Sequence, residues 1–175
     1  MACSGCAQPS IWIHDSNNVR VVSTTILNNG IGPEGDGEVA CYNSPNVLIE
    51  DSTITNVGAG GLYMVKCDNL MVLHNTVSGA KEWGLDIVNT GYASPSLYQL
   101  FDKNTVKLSG NAGGVIEMND YSTFTSNTFQ TNRQGGGSGS CDALNVRDGV
   151  FEIKYYPDSI LNAAEYNNNE SLCSD

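Results

Sequence analysis

Apolar and polar residues alternate along this chain in runs too short for helices. VRVV, VLIE, LMVL, QLF and TFT place apolar side chains at alternate positions for a few residues, and each run soon meets Asn, Ser or Asp. Period-two alternation of this length marks a short strand with one buried face. It puts Val19 and Val21, Val47 and Ile49, and Leu70 and Val72 on the inner side. An amphipathic helix would need a 3.6-residue apolar period over ten or more residues, and no segment has one. The pattern predicts an all-β protein.

These strands recur at fixed spacing. STTI (Ser23 to Ile26), DSTI (Asp51 to Ile54), HNTV (His74 to Val77), KNTV (Lys103 to Val106) and SNTF (Ser126 to Phe129) align on Thr25, Thr53, Thr76, Thr105 and Thr128. The intervals are 28, 23, 29 and 23, a 23-residue unit with insertions of five or six. A small polar residue precedes each threonine (Thr24, Ser52, Asn75, Asn104, Asn127) and an apolar one follows. A Gly-rich turn then leads to a second strand in GGLYMVK, WGLDIVN, GGVIEMN and ALNVR. One such unit cannot bury its own apolar face, but stacked units about 4.8 Å apart share one core and line up identical side chains as ladders. Asn75, Asn104 and Asn127 are expected inside such a ladder.

The recurring N-T-[VF] after a short strand, followed by Gly-[LV] and another strand, resembles the parallel β-helix repeat of pectin-lyase-like proteins over about residues 11–155. The resemblance implies a right-handed parallel β-helix, a solenoid here of five to six short coils. It also implies an extracellular or cell-surface protein that binds or acts on polysaccharide, although one fold hosts many functions. Enzymes of that family are usually longer and carry acids together with Arg or Lys, so this chain reads as a short module or a segment of a larger protein. Residues 1–10 and 156–175 are read as caps over the open strand edges.

In the register set by Asn18, Asn46 and Asn69, Ile11, Val39 and Leu62 stack inward, as do Ile13, Cys41 and Met64, with Leu85 and Ile87 one coil on. The residues between them then face out, in one column of Trp12, Ala40, Tyr63 and Asp86 and a second of His14, Tyr42, Val65 and Val88. Flat rings stack on the C–H faces of sugars while Asp or His takes the hydroxyls, so Trp12, His14, Tyr42, Tyr63 and Asp86 form a candidate glycan platform. The same aromatic stripe would suit packing on other protein subunits, as a structural or adhesion module.

Catalysis has thinner support. Asp86 and Glu117 fall on corresponding strands of successive coils, as a hydrolase's two carboxylates would. An apolar core favours Ile116 and Met118 inside and Glu117 outside. A lyase or epimerase would need a base and a cation, and Lys66, His14, Lys81, Arg133 and Arg147 do not converge in any column. No cofactor or metal site is assigned: His14 and His74 are far apart in register, and a Ca²⁺ site at Asp86, Glu117 or Asp120 would lack a D-x-D-x-D-G loop.

Charge narrows the partners. Nineteen acidic residues against eight basic give a net charge of -11, which would repel a nucleic-acid backbone or an anionic membrane. No apolar stretch approaches the ~18 residues needed to cross a bilayer, so membrane insertion is not expected.

Six cysteines (Cys3, Cys6, Cys41, Cys67, Cys141, Cys173) allow up to three bridges. Cys3 and Cys6 suit stapling of the terminus, Cys141 and Cys173 could pin the tail, and Cys41 reads as a core residue. Asn169 begins a possible glycosylation sequon. Three insertions, 30–37, 90–96 and 134–140, are loop candidates for binding.

Overall fold

A computed structural model describes residues 9–27, 37–89, 92, 94, 96–117, 119–130, 132, 141–146 and 154–155. Its strands arrive in successive turns of a coil. The first holds β1 (Ile11–His14), β2 (Arg20–Val22) and β3 (Thr25–Leu27), and the second β4 (Gly37–Tyr42), β5 (Leu48–Glu50) and β6 (Thr53–Thr55). The third holds β7 (Gly60–Val65), β8 (Met71–Leu73) and β9 (Thr76–Ser78). The fourth holds β10 (Trp83–Val88), β11 (Ser96–Leu97), β12 (Leu100–Asp102) and β13 (Thr105–Lys107). The fifth holds β14 (Ala112–Ile116), β15 (Asn119–Asp120), β16 (Thr123–Thr125) and β17 (Thr128–Gln130), and a sixth adds β18 (Cys141–Val146) and β19 (Lys154–Tyr155).

Every pairing is parallel and joins one coil to the next. The first sheet is β1-β4-β7-β10-β14-β18, the second β2-β5-β8-β12-β16-β19 and the third β3-β6-β9-β13-β17, with β11 and β15 as a small fourth. The threonine column of the sequence is the register of the third sheet, with Thr25, Thr53, Thr76, Thr105 and Thr128 aligned. A parallel β-helix results, as the repeat predicts. Among the described residues no helix is long and apolar enough to cross a membrane.

The three long sheets send columns of apolar side chains to the axis, and the first adds a second column of Val39, Leu62 and Leu85. Ile13, Cys41, Met64, Ile87 and Ile116 come from the first, Ile49, Val72, Phe101 and Phe124 from the second, and Ile54, Val77, Val106 and Phe129 from the third, all buried. Fully burying one such Val, Leu, Ile, Met or Phe contributes roughly 1.5–3 kcal/mol. Phe101 and Phe124 stack with ring centroids 4.5 Å apart and planes 9° from parallel, because the coil repeat superimposes them.

Corners between sheets are made by residues with left-handed backbone. One row is Ser23, Asp51, His74, Lys103 and Ser126, with φ between 50 and 57°. The next residue in each coil turns inward and joins the predicted ladder. Asn75 N–H bonds to Asn104 Oδ1 at 3.0 Å and Asn104 N–H to Asn127 Oδ1 at 2.9 Å, while the Asn75, Asn104 and Asn127 side-chain amides donate to the carbonyls of Ile49, Val72 and Phe101. Ser52 and Thr24 continue the row, Ser52 accepting from Thr24 N–H. Buried backbone polar groups at a corner need partners, and the ladder supplies them.

Cys41 is more than a core residue. It is fully buried and forms a disulfide with Cys67 of the next coil, Cα atoms 6.7 Å apart. Cys141 lies in β18. Cys3, Cys6, Cys173, Asn169, most of the three insertions and the two expected caps fall outside the described residues, apart from Pro9 and Ser10.

Candidate functional site

The outer face of the first sheet carries the predicted stripe in the predicted register. Trp12, Ala40, Tyr63, Asp86 and Val115 stand in one column, and His14, Tyr42, Val65 and Val88 in the next. Alternation along a strand fixes this parity: Ile11 and Ile13 are drawn to the core, so Trp12 and His14 must point away.

In the first coils the aromatic side chains gather into one cluster. Trp12 stacks on Tyr42 with centroids 5.0 Å apart and planes at 20°, and His14 lies 6.4 Å from Trp12 and 6.1 Å from Tyr42. Tyr42 meets Tyr63 edge to face at 5.5 Å. Trp12 is 48% exposed and Tyr42 and Tyr63 are half-buried, so the cluster shows both ring faces and polar tips to solvent. His14 Nδ1 sits 3.1 Å from the Asp15 carboxylate. Tyr42 and Tyr63 are held on strands paired on both sides, and Trp12 and His14 on the edge strand β1, paired to β4.

Further along the axis the face closes, and the expectation of an open stripe needs correction there. Val65, Val88 and Val115 are buried in a second apolar cluster with Tyr42, Tyr63, Trp83 and Tyr92 packed against it. Asp86, expected among the exposed ligand-binding groups, is buried instead. Parity sends a side chain outward but does not say what covers it; here Trp83 and Tyr92 pack against the valines of the same face.

The two candidate carboxylates differ in register and in burial. Ile116 faces the core and pairs with Ile87, so Glu117 is outside, as expected, and half-buried. Asp86, however, pairs with Val115, which leaves Glu117 one step out of its row. Lys66 is paired with Asp68 at 2.9 Å, and Arg133 and Arg147 lie outside the described residues.

One juxtaposition has no counterpart in the sequence reading. At the corner between the second and third sheets, Glu50, Asp51 and His74 bring ligand-type atoms within 4.8 Å of one another. His74 Nδ1 is 3.4 Å from Asp51 and its Nε2 3.8 Å from Asp102. Asp51 and His74 occupy the same corner position one coil apart, which the 23-residue interval already implies.

A second polar and aromatic face was also missed. Asn18, Asn46 and Asn69 continue into Tyr98 and Tyr121 at intervals of 29 and 23, the same series as the threonines, so the signal was present in the spacing.

The protein-family model described as right handed beta helix region matches residues 2–129, well over half of the chain. No curated protein and no solved structure matches the chain significantly.

Proposed function

The chain belongs to the right-handed beta helix family, and we propose that it is a carbohydrate-binding module whose ligand lies across Trp12, His14, Tyr42 and Tyr63. The observation that carries the reading is the Trp12–Tyr42 stack, half open to solvent on the outer face of the first sheet. A sugar ring placed on Trp12 would bury C–H surface against the indole, and the His14 ring and the tyrosine hydroxyls supply donors and acceptors at its edge. The buried Cys41–Cys67 disulfide fits an oxidising setting and supports placement outside the reducing cytosol. Polysaccharide is the partner class; no lyase, hydrolase or epimerase step is proposed, because Asp86 is buried and out of row with Glu117.

Packing against other subunits is the second reading, favoured by exposed Val22, Leu27 and Leu108 on the outer surface. Polysaccharide pull-down and a glycan array on the purified chain separate the two. Binding that a Trp12→Ala, Tyr63→Ala double variant loses while keeping its melting temperature supports the carbohydrate reading. Absence of binding by the parent, with concentration-dependent association in sedimentation, overturns it in favour of subunit packing.

A further inference from the structure

The outer face of the second sheet carries a groove of about 570 Å³. Its floor is Arg20, Leu48, Met71 and Leu100, one residue per coil in strict register. Along one side runs a wall of Asn18, Asn46, Asn69 and Tyr98, each two residues upstream of a floor residue. Four coils at about 4.8 Å spacing make the floor about 14 Å long.

Every wall position has the same backbone state. The φ angles at Asn18, Asn46, Asn69, Tyr98 and Tyr121 are 58, 57, 53, 60 and 58°. Asn enters this left-handed region readily, because its short amide bonds to the local backbone; a tyrosine does so against steric resistance. Two successive coils nevertheless hold tyrosine there. The two residues are 59% and 39% exposed, so they stand outside the core, and their rings stack on each other at 5.2 Å with planes 16° apart. The turn of the coil imposes this state at every equivalent position, and in two coils it sets a stacked aromatic pair beside the groove, where the rings offer flat apolar surface to a ligand.

We propose that this groove is a second binding site, for a neutral oligosaccharide lying along the helix axis and independent of the Trp12 face. The stacked tyrosines and the Leu48 and Met71 side chains offer apolar surface for sugar C–H faces. Asn69 Nδ2 donates to Asn46 Oδ1 at 3.2 Å and Asn46 Nδ2 to Asn17 Oδ1 at 2.9 Å, which uses one N–H of each amide and leaves further donor and acceptor capacity for hydroxyls. Charge selects the class. Arg20 is the single formal charge among the eight lining residues and none is acidic, on a chain of net charge -11. The lining offers no carboxylate to a polycation, and the overall field repels a polyanion.

The test is an NMR titration of the ¹⁵N-labelled full chain with cellohexaose, maltohexaose and mannohexaose, reading the side-chain amides of Asn46 and Asn69 beside the Trp12 indole. At least one hexasaccharide is expected to shift both amides saturably. Tyr98→Asn, which installs the residue that three other coils carry in this backbone state, should fold normally and lower that affinity at least tenfold, whereas Trp12→Ala should change it less than twofold. The proposal is overturned if none of the three sugars moves the amides at millimolar concentration, or if Tyr98→Asn leaves their titration unchanged. It is equally overturned if the same signals move on concentrating the protein alone, which would make a second copy the occupant. Failure of the Trp12 site would show separately, on the indole signal.

Discussion

Asn104 Oδ1 accepts two hydrogen bonds from Asn75 in the preceding coil, one from its backbone N–H at 3.0 Å and one from its side-chain Nδ2 at 3.1 Å. Asn104 in turn donates its own amide to Val72 O and to Asn127 Oδ1. Asn104→Ala therefore strands several buried groups at once. Each unsatisfied buried group costs about 1–3 kcal/mol, so a loss of about 3–5 kcal/mol is expected in urea unfolding. Thr24→Ala, at the half-exposed first rung, removes one weak 3.3 Å bond to Val22 O and should cost less than about 1 kcal/mol.

Glycine is required where a strand is crowded by a core side chain of its own coil and by the backbone of the next. A Cβ on Gly84 would overlap Val106 Cγ1 and lie 2.6 Å from Gly113 O, whereas one on Gly60 meets nothing closer than 3.4 Å. Gly84→Ala should lower stability by about 1–3 kcal/mol, as overpacked sites do, and Gly60→Ala should be tolerated. Thermal melts of the two variants side by side check the contrast.

The Cys41–Cys67 bridge spans a separation of 26 residues with both sulfurs' residues buried. Mild reductant is expected to leave it intact in the native protein and to open it in urea, seen by peptide mapping after alkylation. A Cys41→Ala, Cys67→Ala variant should lose about 3 kcal/mol from the freed loop alone.

Phe101 and Phe124 are both almost fully buried. Truncating either to Ala removes a ring and its stacked partner's contact, for an expected loss of about 3–5 kcal/mol in chemical denaturation. Phe101→Leu should keep most of that stability, because the apolar volume largely remains.

Trp12→Ala should separate binding from folding. The indole is about half exposed, so stability should change by about 1 kcal/mol or less, while affinity for any glycan held on the first sheet should fall at least tenfold. A large drop in melting temperature would show instead that Trp12 is a structural residue.

Much of the fold was legible in residue spacing. Thr25, Thr53, Thr76, Thr105 and Thr128 revealed the coil length, and Asn75, Asn104 and Asn127 the ladder, because stacking forces equivalent positions into contact at every turn. The Asp51–His74 approach and the continuation of the Asn18, Asn46 and Asn69 row into Tyr98 and Tyr121 obey the same intervals, but the residue type changes there from coil to coil and hides the column.

Sequence by itself determined the coil register, the strand parity and hence which side chains leave the core: Trp12, His14, Tyr42, Tyr63, Asp86 and Glu117. Those are local and periodic properties, set by alternation along a strand and repetition between strands. Tertiary structure alone decided which of them reach solvent. Trp83 and Tyr92 join Val65, Val88 and Val115 in apolar packing beside the buried Asp86, while Trp12 remains open and the tyrosines of the second sheet stand out beside a groove. Coverage depends on side chains brought from other coils and loops, and no repeat interval encodes it.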